Sequence, residues 1–310
     1  MLKDLFFFLV YPGLLFAGVA GGFLSWFDRK ITAMVQFRKG PPLLQPYYDF
    51  LKLLLVKETI LPANGSRGMF LLAPVLAVFG ATVACVLILL PMLGFHTGFA
   101  GDLIVIFYLL AIPSLMYILG AVSSGNPLAA VGASREIKLI LSYELTFLLV
   151  VAGVILKSGM SIRMTDLLMA QETGGAVIGS ISGILLFIPA VFCIQAKLGL
   201  IPFDMAEAET EINHGCFIEY SGICYALIKL SKYILFLTLP AFLAALFMNG
   251  LHWDGIQILW SVLKILGVVL LLTLIRNTNP RLKIHQAMKF FFLYMNLLVI
   301  IAYILIALGI

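Results

Sequence analysis

The chain has 310 residues, 62% hydrophobic and 11% charged, with a formal net charge of +5. A soluble domain carries roughly 25% charged residues, so this composition excludes an ordinary soluble fold. The apolar runs are continuous and reach the length of a membrane-crossing helix, which indicates an all-α polytopic membrane protein and excludes an alternating β-barrel; the positive excess lies in loops and does not mark a nucleic-acid surface.

Residues 5–27 form the first apolar run. It is too long for a signal-peptide core, and a basic loop follows it, so it reads as a retained span. That loop contains Asp28-Arg29-Lys30 and then Gln36-Phe37-Arg38-Lys39-Gly40-Pro41-Pro42-Leu43-Leu44-Gln45-Pro46. Pro46 can open a helix running to Lys57, with Tyr47, Phe50, Leu51, Leu54 and Leu55 on an apolar face and Asp49 and Lys52 polar, a pattern that suits an interfacial helix. The competing reading is a basic anchor that only fixes topology. It accounts for the charges but not for the Gly-Pro-Pro turn.

Apolar runs follow over 70–93, 103–122 and 139–157. Between the last two lies a loop with Ser123-Ser124-Gly125-Asn126-Pro127 and Ser134-Arg135-Glu136. Glu144, in Ser142-Tyr143-Glu144, falls about 9 Å inside its span at 1.5 Å per residue. A carboxylate at that depth is expensive and is a functional candidate by default; the competing reading is a structural pair with a basic residue. Residues 158–179 predict a short surface segment, and the next run covers 180–197.

The stretch from Gly199 to Gly222 holds five of the chain's 15 carboxylates: Asp204, Glu207, Glu209, Glu211 and Glu219. Pro202 suits a first helical turn, and acids there complement the helix dipole. At about 100° per residue, Asp204, Glu207 and Glu211 share a face and Glu209 points elsewhere. Asn213-His214-Gly215 then ends the helix. The competing reading is a solvated acidic cap. Runs over 222–248, 256–275 and 287–308 complete eight spans in a single integral membrane domain, residues 1–310. Lys264, inside the seventh span, either pairs with a carboxylate or snorkels outward. His96 and His252 read as solvated loop residues. His214 is kept as a candidate beside Glu136 and Lys264, with a structural hydrogen bond as the alternative for it and for His285.

Lysines and arginines fix the orientation. The loops after spans 1, 3, 5 and 7, with Lys229 and Lys232, hold 16, against Lys3, Lys157 and Arg163 on the other side. The basic side is expected to be the cytoplasm, with both termini outside a cytoplasmic (inner) membrane. Cys85, Cys193, Cys216 and Cys224 lack C-x-x-C spacing, so no iron–sulfur or zinc site is indicated. No Walker loop or dinucleotide fingerprint is present. No inverted repeat supports a rocking transporter.

Several of these motifs resemble one family. Arg38-Lys39-Gly40-Pro41, Leu44-Gln45-Pro46, Lys52-Leu53 and Lys57-Glu58 look like the first-loop motif of the membrane subunit of respiratory complex I that adjoins the quinone chamber. Ser142-Tyr143-Glu144, Ile201-Pro202-Phe203-Asp204-Met205-Ala206-Glu207-Ala208-Glu209 with Glu219-Tyr220-Ser221-Gly222, and Asn279-Pro280-Arg281-Leu282 are similar to its further cytoplasmic-side motifs. The family also includes membrane subunits of energy-converting [NiFe] hydrogenases of the formate hydrogenlyase type. Complex I carries an Asn-x-x-Gly-Pro-x-Gly insert after Arg-Lys-Gly-Pro; here Pro41-Pro42 runs straight into Leu43-Leu44-Gln45-Pro46, which resembles the hydrogenase branch.

The resemblance implies a non-redox anchor that holds no cofactor itself. Its expected partners are [NiFe] hydrogenase large and small subunits, an iron–sulfur ferredoxin-like subunit and antiporter-like membrane subunits, with the [NiFe] centre and clusters in those partners. By position it implies a proton path through Glu144, Asp204, Glu207, Glu209, Glu211 and Glu219, and a soluble-arm interface at Arg29, Arg38, Lys39, Arg135, Arg276 and Arg281. The shortened first loop is expected to tighten or reshape the chamber mouth. The alternatives are a quinone-site subunit of a complex I-type enzyme, a stand-alone ion-coupled transporter, and a structural anchor without ion transfer.

Overall fold

The computed structural model describes residues 2–95, 99, 101–253 and 255–309, with the side chains of Leu2, Glu209 and Thr210 left out. His96 and the side chain of Glu209 therefore lie outside the described residues. The described chain is helical, with α1 Leu2–Leu9, α2 Leu14–Val35, α3 Gln45–Leu55, α4 Arg67–Met92, α5 Asp102–Ser123 and α6 Pro127–Lys157. These are followed by α7 Met164–Gly174, α8 Ile181–Lys197, α9 Glu209–Ile212, α10 Gly222–Phe247, α11 Gln257–Thr278, α12 Ile284–Lys289 and α13 Asn296–Ala307.

Seven of the eight predicted spans are helical stretches long and apolar enough to cross a membrane, and the fifth is the shorter apolar helix α8. The first of them is interrupted at Val10-Tyr11-Pro12-Gly13 between α1 and α2. The last combines α12 and α13 through a π-helical segment, Phe290–Met295. Helix α10 is the centre of the bundle. Nearly all of its apolar stretch is buried, against under a third for α11 and for the last span. It packs on α2, α3 and α4, while α6 joins α5 to α8, and α13 lies against α8 and α6.

The predicted interfacial helix is present as α3. Its Tyr47 hydroxyl donates to the Val19 carbonyl at 2.7 Å, fastening it to α2, and Leu51 and Leu55 remain exposed. The predicted surface segment is α7, and it is less superficial than expected. Its Gln171 is buried and donates to the Ala245 carbonyl at the end of α10, at 2.8 Å.

The acidic stretch differs most from the sequence expectation. Residues 200–208 form turns and bends, Glu209–Ile212 is a single short α-helix, and Gly215–Phe217 is a 3₁₀ turn. Asp204, Glu207 and Glu211 do not share a helical face, because each carboxylate is drawn to a cation on a different element. Asn213 and His214 do end α9, both with positive φ (51° and 72°). The stretch is seated closely on α6: a Cβ at Gly132 would stand 2.7 Å from the Cys216 nitrogen.

Candidate functional site

The four motif-bearing loops converge at one end of the bundle. Glu219 accepts from Asn126 Nδ2 at 2.5 Å, and the same Asn126 caps α6 by accepting from the Leu128 N–H. Tyr220 stacks on Phe70 at 4.2 Å and donates to its carbonyl. Ser221 Oγ accepts the Ile60 N–H, and Thr59 Oγ1 accepts the Ile223 N–H. Gly222 has φ +50°, and a Cβ there would lie 2.7 Å from the Glu58 backbone, so glycine is required at this crossing. The Leu282 N–H donates to the Pro202 carbonyl, tying in the last loop.

Among the described residues, three carboxylates of the acidic stretch are ion-paired. Asp204 meets Arg281 at 2.8 Å, Glu207 meets Lys232 at 2.5 Å, and Glu211 meets Arg135 at 2.7 Å. Lys232 also lies 4.5 Å from the Phe217 ring centroid, a cation–π contact. One oxygen of Asp204 is buried without a hydrogen-bond partner.

Deeper in the bundle, Glu144 on α6 pairs with Lys197, the last residue of α8. The Lys197 side chain is 2% exposed and lies 5.3–5.7 Å from the ring centroids of Phe107, Tyr143 and Phe147. The second oxygen of Glu144 is buried with no partner. The sequence count treats Lys197 as a loop charge that fixes topology; the structure corrects this, because the ammonium is inside the protein beside the intramembrane carboxylate. A polar residue closing the apolar run 180–197, two positions after the buried Gln195, is the signal that could have found it.

Two cavities connect these pairs. The larger, about 470 Å³, is lined by eight ionic side chains. Asp28, Asp204 and Glu207 face Arg29, Lys229, Lys232, Arg276 and Arg281, and Tyr225, Tyr233 and Phe236 supply its aromatic wall. Asp28 is buried, bonded to Arg276 at 2.5 Å and to Thr273 at 2.9 Å. The smaller, about 10 Å³, touches Ser114, Tyr117, Glu136, Lys197, Glu207 and Lys232. Glu207 and Lys232 line both.

The remaining sequence candidates sort by place. Glu211 lines neither of these cavities and instead faces a surface pocket with Arg135, Lys283 and His285. Glu219 sits in the clasp around Asn126. Of the six expected interface cations, Arg29 pairs with Asp49, and Arg135, Arg276 and Arg281 pair as described. Arg38 and Lys39 are exposed beside the fully exposed Phe37. Lys264 donates to the carbonyls of Met248 and Gly250, at 2.7 and 2.9 Å, where α10 ends; it serves as a helix cap at the opposite end of the bundle. His214 is exposed. Among the described residues no three His, Cys, Asp or Glu side chains form a group able to hold a metal ion.

A family model described as NADH dehydrogenase matches residues 8–307. The chain belongs to the family of the first membrane subunit of complex I. Within that family, it is 35% identical over 298 residues to the H subunit of the NADH-quinone oxidoreductase of Dehalococcoides mccartyi strain CBDB1, covering 91% of this chain and 81% of the relative. It is 33% identical over 303 residues to the protein of the same name from Brevibacillus brevis, covering 91% and 87%. Among solved structures it resembles a chain of the membrane-bound sulfane sulfur reductase, described as an archaeal respiratory membrane complex. The TM-score is 0.85 at 26% identity, over 94% of this chain and 96% of that one. Family membership makes this a multi-pass membrane subunit, in agreement with its long apolar helices.

Proposed function

We propose that this chain is the ion-coupling membrane subunit of an energy-converting [NiFe] hydrogenase, a respiratory membrane complex related to complex I. It links ferredoxin-driven proton reduction in a soluble arm to ion translocation by antiporter-like neighbours. The [NiFe] centre and iron–sulfur clusters belong to the partner subunits, and Arg38 and Lys39, exposed on the first loop, meet the soluble arm.

The observation that carries the coupling role is the sequence of ionic groups from the loop cavity inward. Asp204–Arg281 and Glu207–Lys232 open onto the larger cavity, and Lys197–Glu144 lies within the bundle. Clustered carboxylates and cations in a low-dielectric interior share protons, since neighbouring acids cannot all ionise independently. A charge change in the soluble arm above this cavity therefore alters proton occupancy inside the membrane. The second oxygen of Glu144 is not taken up by Lys197, which leaves the carboxyl a place to accept a proton, as the coupling reading requires.

The hydrogenase branch is supported by the short first loop and by the eight ionic groups of the cavity. Small-molecule pockets are mostly apolar with few polar groups, so this lining suits water better than a quinone ring. A second reading, a quinone-site subunit, is favoured by cavity volume. At about 470 Å³ the cavity is not narrowed below the scale of a ligand site, roughly 300 Å³ or more, and three aromatic residues line one side. The test is made on the purified complex. The hydrogenase reading expects H₂ evolution from reduced ferredoxin that quinone analogues leave unchanged. Inhibition by such an analogue at low micromolar concentration, relieved by substitution of Tyr225 or Phe236, would transfer the assignment to the quinone reading.

A further inference from the structure

Between Glu207 and Glu144 the ionic sequence has a gap, and one side chain stands in it. Glu136, on α6, faces the 10 Å³ cavity together with Lys197 from α8, Lys232 from α10, Glu207 from the acidic stretch, and Ser114 and Tyr117 from α5. Its carboxylate has no hydrogen-bond or ion-pair partner among the described residues, in contrast to Glu144, Asp204, Glu207 and Glu211. The cavity is at the threshold for holding one water molecule, and its polar lining supplies the partners such a water needs. Glu136 and Tyr143 are seven residues apart and share a helical face, and Glu144 lies about 12 Å further along the axis at 1.5 Å per residue. Lys197 lines the same cavity as Glu136 and is bonded to Glu144, so it adjoins both levels.

We propose that Glu136 is a proton-carrying residue of the coupling path, joined to Glu207 by one water in this cavity and to Glu144 through Lys197. The proposal rests on the coupling reading above and adds to it a specific residue and a carrier. The water takes a proton from the Glu207 carboxyl and gives one to the Glu136 carboxylate. Lys197 passes a proton to Glu144, and its amine is recharged by Glu136. The net change is one proton moved from Glu207 to Glu144, with Glu136, Lys197 and the water restored. Glu207 is reprotonated from the larger, open cavity.

The lining also selects the carrier. A sodium ion would enter a cavity lined by two lysines, in a space too small for the six or so oxygen ligands that hard cations collect. A proton needs only the chain of groups already present. The titratable groups that share this cavity with Glu136 are Glu207, Lys232, Lys197 and Tyr117, and Tyr143 and Cys216 lie within electrostatic reach of its carboxyl.

The test uses the assembled complex in inverted membrane vesicles, recording proton uptake per turnover with a pH-sensitive dye. Glu136→Gln keeps shape and removes the exchangeable carboxyl. Uptake is expected to fall on the order of a hundredfold, the scale for losing a positioned proton-transfer group, and Glu136→Asp should restore a large part of it. A merely structural Glu136 predicts that the Gln variant assembles with normal uptake, which would overturn the proposal. If the Gln variant does not assemble, Ser114→Val decides. It fills the cavity, leaves Glu136 in place and should abolish uptake; normal uptake in it would equally overturn the water-linked path. Glu144→Gln separates the two levels. Loss of uptake there with normal uptake in Glu136→Gln rejects Glu136 alone, whereas normal uptake in both rejects the coupling reading itself.

Discussion

Replacing Lys197 by Met removes one side of the buried ion pair while keeping most of its volume. The Lys197 side chain is 2% exposed and that of Glu144 17%, so solvent does little to replace either partner. At an effective dielectric of about 20, opposite charges roughly 3 Å apart attract by about 5 kcal/mol, and removing one partner of a buried pair costs about 3–5 kcal/mol. Glu144 already has one oxygen without a partner, and losing Lys197 would leave both unpaired. Glu144→Gln leaves the reciprocal problem, an ammonium facing three aromatic rings and a neutral amide. The double variant Glu144→Gln/Lys197→Met has no buried charge at this position. Its cost is therefore expected to be smaller than the sum of the singles by about 2–4 kcal/mol, well above the roughly 0.5 kcal/mol within which independent sites add. Thermal unfolding of this subunit within the purified complex measures the cycle, and proton uptake in vesicles should be lost in all three variants. Additive stabilities would refute the buried pair. Normal uptake with Lys197→Met would remove Lys197 from the path, whatever its structural worth.

Three further expectations concern the rest of the chain. Lys264→Met should leave the Met248 and Gly250 carbonyls without their charged donor and lower stability by about 2 kcal/mol; proton uptake should stay normal, and a loss of uptake in a fully assembled complex would show that Lys264 is more than a cap. Burial pushes the Cys216 thiol well up from its ordinary range. The reactive thiolate is scarce at neutral pH, so maleimide labelling of Cys216 should stay slow until the pH is strongly alkaline or the protein unfolds, and rapid labelling at pH 7 would contradict its burial. The excess of basic residues at the end bearing the acidic stretch predicts that reporter fusions to the C-terminus are active outside the cytoplasm; a C-terminal reporter active only in the cytoplasm would invert the topology.

What could be read from the sequence divides along a physical line. The spans were legible because a membrane crossing needs only length and apolarity, which are local properties. The short helix α8 and the break between α1 and α2 show the limit, since α8 is completed by α6 and α13 rather than by its own length. The clasp residues Tyr220, Ser221 and Gly222 were visible as a motif, but their work is to hold the acidic stretch against α4, through Phe70, and against the first loop at Glu58 and Ile60. The acidic stretch reads as a helix because its first-turn pattern is favourable, whereas in the fold Arg281, Lys232 and Arg135 pull its carboxylates in three directions.

Charge counting, by contrast, assigns basic residues to one side of the membrane and does not show which of them the fold turns inward. Lys197, Arg135, Arg276 and Arg281 all contribute to the basic excess on one side, yet each is paired within the chain. The two roles are compatible: a cation at the end of a helix biases insertion before the bundle closes and meets its carboxylate after it closes. Glu207 and Lys232 are where this matters most, because they line both cavities. On the coupling reading proposed above, that pair is the link between the larger cavity and the smaller one that Glu136 and Lys197 line. The coupling step is therefore assigned, on this proposal, to the Glu207–Lys232 contact, at the boundary between loop and bundle, and substitution of either residue is expected to uncouple uptake from turnover.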